Sequence, residues 1–314
     1  MRDSDIGRWT HPAIVLVATD LSDLGHLMPF ALEQAGETGA RLILLHVLSS
    51  VAAISADASG MPYYDTVGAL ETAEQMLRPW CEVAVRRGIP CDALVREGHP
   101  TYQIAAVVRQ FHVDRVLLGT RSRSKLGKLL IGSVAEQVLR SVNLPVITVG
   151  PEAHLPVDKG EERVVLHATT LRETSRPSAA LACQVAATQN AKLILLHVLP
   201  PIDVMERKGM PTGQDSAAMV ELRILAAQTG ARCCSAVEPV IAHGNPSIEI
   251  LALASERHAG LIVLGATQRS AFENLTRDRT VYRVLAHARC PVLTLREPQP
   301  MPEEAHADTA AVHR

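Results

Sequence analysis

The chain has 314 residues, enough for two domains of ordinary size. Its apolar content is 47% and its aromatic content only 3%, which argues against base-stacking platforms for single-stranded nucleic acid. A net charge of −2 gives no global pull toward nucleic acid or an anionic membrane, and no apolar run approaches the ~20 residues of a membrane helix.

Met1 to His11 is polar and mixed in charge, and the apolar run after it, Ala13 to Ala18, is too short for a signal-peptide core. The chain is therefore expected to be soluble and cytoplasmic. Short runs rich in Val, Ile and Leu then read as strands buried on both faces: Ile14–Thr19, Leu42–Leu48, Cys91–Arg96, Arg115–Gly119 and Val146–Val149. Helical spacing fills the gaps. One helix starts near Ser22 and buries Leu24, Leu27, Met28 and Ala31. A second runs from about Asp65 to Arg87, with Val67, Leu70, Leu77 and Val85 apolar and a kink expected at Pro79. A third runs from Thr101 to about Phe111. A fourth follows Ser133, with Val134, Val138, Leu139 and Val142 as its stripe. Asp114 and Arg115 read as a turn before the fourth strand. Strands alternating with helices predict an α/β fold with a doubly wound parallel sheet.

The pattern then repeats. Arg41-Leu-Ile-Leu-Leu-His-Val-Leu48 returns as Lys192-Leu-Ile-Leu-Leu-His-Val-Leu199, and Gly98-His-Pro-Thr-Tyr-Gln-Ile104 as Gly244-Asn-Pro-Ser-Ile-Glu-Ile250. Val116–Gly119 matches Ile262–Gly265, and Leu144–Val149 matches Cys290–Leu295. Four matches in one order define two halves of domain size. The predicted division is 1–150, a linker over 151–162 rich in Pro, Gly and charge, a second domain over 163–296, and a disordered tail over 297–314.

Six cysteines occur: Cys81, Cys91, Cys183, Cys233, Cys234 and Cys290. None form CxxC, and no Cys/His set has zinc spacing. Adjacent Cys233 and Cys234 read as reduced thiols in or near a strand, with a redox pair as the other reading. His46 and His197 read as satisfied core residues. His99 and Asn245, each before a proline, read as turn residues.

A ligand in such a sheet sits beyond the carboxyl ends of the strands where strand order reverses, here between the first and fourth strands. The first ends at Ala18-Thr19-Asp20. The fourth leads through Gly119, a loop carrying Arg121, Arg123, Lys125 and Lys128, and Gly132-Ser133 at a helix start, which suits an anion. Two readings stay open for these residues: a phosphate site, or a turn, a cap and a solvated basic loop. Asp20 could accept from a ribose hydroxyl or bond to the start of the first helix. No GxGxxG follows the first strand, and Gly127-Lys128-Leu129 breaks the P-loop pattern.

With these segments together the chain resembles the universal stress protein family, whose mark is Gly, two residues, Gly, nine residues, then Gly-Ser/Thr. Gly119 and Gly132-Ser133 stand at that spacing, supported by Ile14–Asp20, Leu44–Val47 and Leu144–Val149. The resemblance implies two five-stranded domains paired through Pro145–Val149 and Pro291–Leu295 as an internal pseudo-dimer. It implies ATP, with magnesium as a further expectation. The implied contacts are Thr19, Asp20 and Val47 for adenine and ribose, and Leu118, Gly119, Arg121, Ser122, Gly132, Ser133 and Val134 for phosphates. Ser122 replaces the family's second glycine. In the second half the motif reads Gly265-Ala-Thr-Gln268, then Asp278-Arg279, with Thr170 in place of Asp20, so nucleotide is expected in the first half only. Arg269, Arg277 or Arg279 would serve any other ligand there. The expected function is non-catalytic and regulatory, with a homo-oligomer or a protein partner. A ligand-free interaction scaffold is the alternative, and an ATPase or adenylyl-transfer enzyme a third reading.

Overall fold

Runs of branched apolar residues with no polar interruption can satisfy their backbone only inside a sheet covered on both sides. The computed structural model describes residues 3–49, 54–56, 62–64, 66–120, 131–155, 162–201, 214–233, 237–267 and 279–297. In the first half, helix α1 (Asp3–Thr10) precedes β1 (Ile14–Thr19), α2 (Leu24–Thr38) and β2 (Arg41–Leu48). A small hairpin follows, β3 (Ile54–Ala56) and β4 (Pro62–Tyr64). Then come α3 (Thr66–Arg86), β5 (Cys91–Glu97), α4 (Pro100–Gln110), β6 (Arg115–Gly119), α5 (Ser133–Ser141) and β7 (Val146–Val149). The second half runs β8 (Val164–Ala168), a 3₁₀ turn, α6 (Arg176–Thr188), β9 (Lys192–Leu199), α7 (Gln214–Cys233), β10 (Val237–His243), α8 (Pro246–Glu256), β11 (Leu261–Thr267), α9 (Arg279–His287) and β12 (Val292–Glu297).

One ten-stranded sheet results, in the order β10-β9-β8-β11-β12-β7-β6-β1-β2-β5. Each half is parallel, with its first strand at the centre and its fourth on the opposite side from its second, as the doubly wound reading requires. The halves meet where β7 and β12 pair antiparallel, with Ile147 opposite Leu293, so the expected internal pairing through the last strands is present. Both apolar layers cross that seam. Leu27, Leu44, Leu117, Leu193 and Leu293 share one face, and Leu16, Ile43, Val138, Ile262 and Val292 the other. Among the described residues no helix is long and apolar enough to cross a membrane.

Three local expectations are corrected. The strand beginning at Cys91 is not buried on both faces, because β5 is an edge of the sheet and its side chains are half-buried or exposed. In α3, Val67 and Val85 are 68% and 59% exposed. Both stand about 80° around the helix from Leu77, off the inward stripe of Ala73, Leu77 and Ala84. Glu297 belongs to β12 and is buried rather than opening a tail. Residues 298–314 lie outside the described residues, as do 156–161 of the linker. Cys233 ends α7, shortly before β10, in keeping with a cysteine near a strand.

The Asp114-Arg115 pair is a further correction, because it does far more than turn the chain. Both side chains are 2% exposed. Asp114 accepts from the Ala13 and Ile14 amides at 2.8 and 3.1 Å and pairs with Arg8 of α1. Arg115 donates to Gln34 Oε1 at 2.6 Å and to the Trp9 carbonyl. Burial pushes its guanidinium down to about 10, so it stays charged near neutrality. This cluster fastens α1 to the first half, and α1 reaches the second through a Thr10 to Gln184 bond. Arg163 completes the tie by pairing with Glu33 and Glu37 of α2. Arg115→Ala should leave a void and strand Gln34, lowering stability by about 3 kcal/mol or more, read as a drop in the urea midpoint.

Candidate functional site

Because β1 and β6 lie side by side while α2 and α5 leave on opposite faces, a gap opens beyond their carboxyl ends. The cleft there measures 340 Å³, at the lower end of the ~300–1,000 Å³ usual for small-molecule sites. Thr19, Asp20, Val47, Leu118, Gly119, Gly132, Ser133 and Val134 all line it, so the structure gathers eight of the ten residues singled out in the sequence. Arg121 and Ser122 lie outside the described residues, as do Arg123, Lys125 and Lys128.

The β1–α2 turn is held by a chain of short bonds. Leu21 sits at φ 72°, a region costly for a bulky L-residue. Its amide donates to Thr19 Oγ1 at 2.9 Å, and that hydroxyl donates to Asp23 Oδ1 at 2.5 Å. Asp20 Oδ1 accepts from the Ser22 amide at 2.9 Å and from Ser22 Oγ at 2.6 Å, within the turn that precedes α2. Asp23 escaped the sequence reading. Burial, partly opposed by the Thr19 bond, raises its carboxyl above the ordinary value of 3.8, and nearby Asp20 adds to the rise. It explains Gly119: a Cβ there would stand 2.6 Å from Asp23 Oδ2. The glycine makes room for this close approach, and its φ lies outside the left-handed region, so the turn itself does not call for glycine.

Across the cleft, Gly132 caps α5 with φ −60° and ψ 143°, and its amide donates to the Thr120 carbonyl at 3.1 Å. The next amides, of Ser133, Val134 and Ala135, belong to a first helical turn and have no acceptor within the helix. They and the helix dipole form a positive end at the cleft wall. Ala18, Leu45, Ile104 and Pro100 add apolar lining that carries no motif, because they are ordinary core-type residues brought to the cleft only by the topology.

His46 is half-buried and lines the cleft, with Nδ1 held 3.0 Å from the Thr19 carbonyl. It is therefore satisfied, as expected, but at the site rather than in the core. His197 repeats the contact with Thr169 at 2.9 Å. Asn245 is a turn residue whose side chain accepts from the Ser247 amide at 3.1 Å, while His99 makes no such cap bond.

The second switch point keeps the turn and changes its chemistry. Leu171 again has positive φ, 60°, and its amide again bonds the preceding threonine, Thr169, at 3.1 Å. Thr170 stands where Asp20 does. Gly265 is again crowded by a carboxylate, here Glu297 from β12, which also bonds Ser178. Asp278, Arg269 and Arg277 lie outside the described residues, and Arg279 opens α9. Burial pushes Glu297 up to about 7. Ser178 Oγ donates to Glu297 Oε1 and also lies 2.9 Å from the Ser175 carbonyl, and its bond to Glu297 partly opposes the effect of burial.

Comparison with known proteins agrees with this architecture. The sequence model of the universal stress protein family matches residues 13–150 and again residues 162–296. The chain belongs to the universal stress protein family and carries two of its domains in tandem. A universal stress protein of Thermus aquaticus is 30% identical over 139 residues, covering 43% of this chain and 96% of the relative. One from Mycobacterium tuberculosis is 26% identical over 170 residues, covering 54% of this chain and 56% of the relative. The crystal structure of a universal stress protein from Archaeoglobus fulgidus superposes with a TM-score of 0.70 at 22% identity, covering 90% of this chain and 98% of that one. The shared fold therefore spans both halves.

Glu297 gives a test with a defined sign. The unfolded chain loses this proton near 4.5 and the folded one only near 7, so stability falls as pH rises between those values. Glu297→Gln should leave stability unchanged at pH 4 and raise it at pH 8 by up to about 3 kcal/mol, measured by denaturant titration at both pH values.

Proposed function

We propose that the protein is a cytoplasmic, non-catalytic regulator that binds ATP in its first half only. The observation that carries this reading is the cleft itself. An apolar wall (Ala18, Leu45, Val47, Leu118) meets a strand-end carboxylate, Asp20, on one side and the open first turn of α5 on the other. An adenine suits the wall, and Asp20 and the Val47 backbone would hold adenine and ribose. Gly119, Gly132, Ser133 and Val134 would hold the phosphates at the positive helix end. Magnesium would travel on the phosphates and supply charge neutralisation. Bound nucleotide would favour one arrangement of the pseudo-dimer, or of a homo-oligomer, over another, and so alter partner choice. The second half, with Thr170, Asp278 and Arg279 at the corresponding positions, serves as the structural partner.

The scaffold reading has one observation on its side, the local use of Asp20 by Ser22. Calorimetric titration with ATP and magnesium separates the two. Wild-type protein should bind one equivalent, and Gly132→Asp should reduce the affinity at least ~100-fold by placing a carboxylate on the amides meant for phosphate. Gly132 has extended backbone, and aspartate is a favoured residue at a helix N-cap, so the variant should fold. No binding by the wild type would leave the scaffold, and two equivalents would overturn the assignment to one half.

A further inference from the structure

Ten residues apart in sequence, Cys81 and Cys91 meet in space. Cys81 sits in the last part of α3 and Cys91 is the first residue of β5, the edge strand against which α3 packs. The chain reverses between them through Arg87, Gly88 and Ile89, whose amides turn back onto the end of the helix. The two Sγ atoms stand 2.7 Å apart, and both thiols are free and half-buried. Cys183 and Cys290 are free as well but buried. Cys183 is fully buried and gives its thiol proton to the Thr229 carbonyl, and Cys290 is 5% exposed.

We propose that Cys81 and Cys91 form a peroxide-responsive dithiol, a modification site that closes to an intramolecular disulfide tying α3 to the sheet edge. The step balances with hydrogen peroxide as oxidant. The Cys81 thiolate attacks one peroxide oxygen, an S–O bond forms, the O–O bond breaks, and the other oxygen leaves as water after taking a proton. Cys91 Sγ then attacks the Cys81 sulfur. The S–S bond forms, the S–O bond breaks, and a second water leaves with the Cys91 proton. Two thiols lose two electrons, and the peroxide is reduced to two waters.

The roles follow from the contact. As donor, the Cys91 thiol stabilises a thiolate on Cys81 and holds it below the ordinary thiol value, while the same bond and burial push Cys91 well up. Cys81 is therefore the attacking sulfur and Cys91 the resolving one. Substitution at either leaves the sheet order and the nucleotide cleft untouched, because both lie at the opposite end of β5 from the residues that pair with Val47.

Peroxide treatment of the folded full chain, alkylation and tryptic mass mapping test this. Trypsin cuts after Arg86 and Arg87, so a disulfide would join two otherwise separate peptides. The expected result is a cross-linked pair lighter by the mass of two hydrogens, restored by dithiothreitol and formed before Cys183 or Cys290 reacts. Cys91→Ser should instead accumulate a sulfenic acid on Cys81 that dimedone captures, and Cys81→Ser should show no dimedone adduct on Cys91. Oxidation of all cysteines at one rate, or a Cys81 driven to sulfinic acid with Cys91 still free in the wild type, would overturn the proposal.

Discussion

Antiparallel pairing of β7 with β12 is the constraint on which the rest of the molecule depends. Val146 to Val149 and Val292 to Leu295 are buried along their whole length. Either strand alone would be an apolar edge with open backbone donors and acceptors, a template for aggregation. Joined, they make two five-stranded sheets one ten-stranded sheet and let both apolar layers run through the seam. The polar ties of α1, Arg115 and Arg163 lie around that seam and fix which neighbour is accepted. The seam also sets which edges remain, β5 and β10, and so places α3 with its cysteine over a half-exposed strand.

Within this frame the two halves are a comparison built into one molecule. Their strand order, the positive-φ leucine bonded to the threonine at the first strand's end and the histidine bond near the end of the second strand repeat. What differs is the chemistry placed on that frame. In sequence Asp20 corresponds to Thr170 and Gly132-Ser133 to Asp278-Arg279, and the space beside the fourth strand's glycine holds Asp23 in one half and Glu297 in the other. The fold alone therefore predicts two sites, and only the side chains separate them.

Much of this was legible in the sequence, for reasons that can be stated. Parallel strands buried on both faces write continuous apolar runs, so β1, β6 and β7 could be bounded to the residue. The repeat then gave the second half, and the family resemblance implied the seam. Where reading failed, the deciding contact was non-local. Nothing near Asp114-Arg115 announces that α1 and Gln34 wait to receive them, more than 80 residues away. Asp23 gains its meaning only from Gly119 across the switch point. The search for CxxC passed over Cys81 and Cys91, because a helix end turning back onto its own strand brings together positions that no fixed short spacing describes. The expected stripe of α3 failed for a different reason: a helix over a sheet edge needs only a narrow inward face, so its other valines are free to be exposed.

The strained turn shows how such a comparison limits inference. Leu21 sits at positive φ beside the cleft, and strain beside a cleft invites a functional reading. Leu171 carries the same strain in the half that lacks the aspartate and the helix-opening Gly-Ser. The threonine hydroxyl that receives the leucine amide is also repeated. Strain present with and without the ligand-type residues belongs to the passage from a central strand into its helix, and the Thr19 and Thr169 bonds offset it locally. The case for a nucleotide in the first half thus rests on features that the second half lacks: the carboxylate at the strand end and the glycine-serine opening of α5.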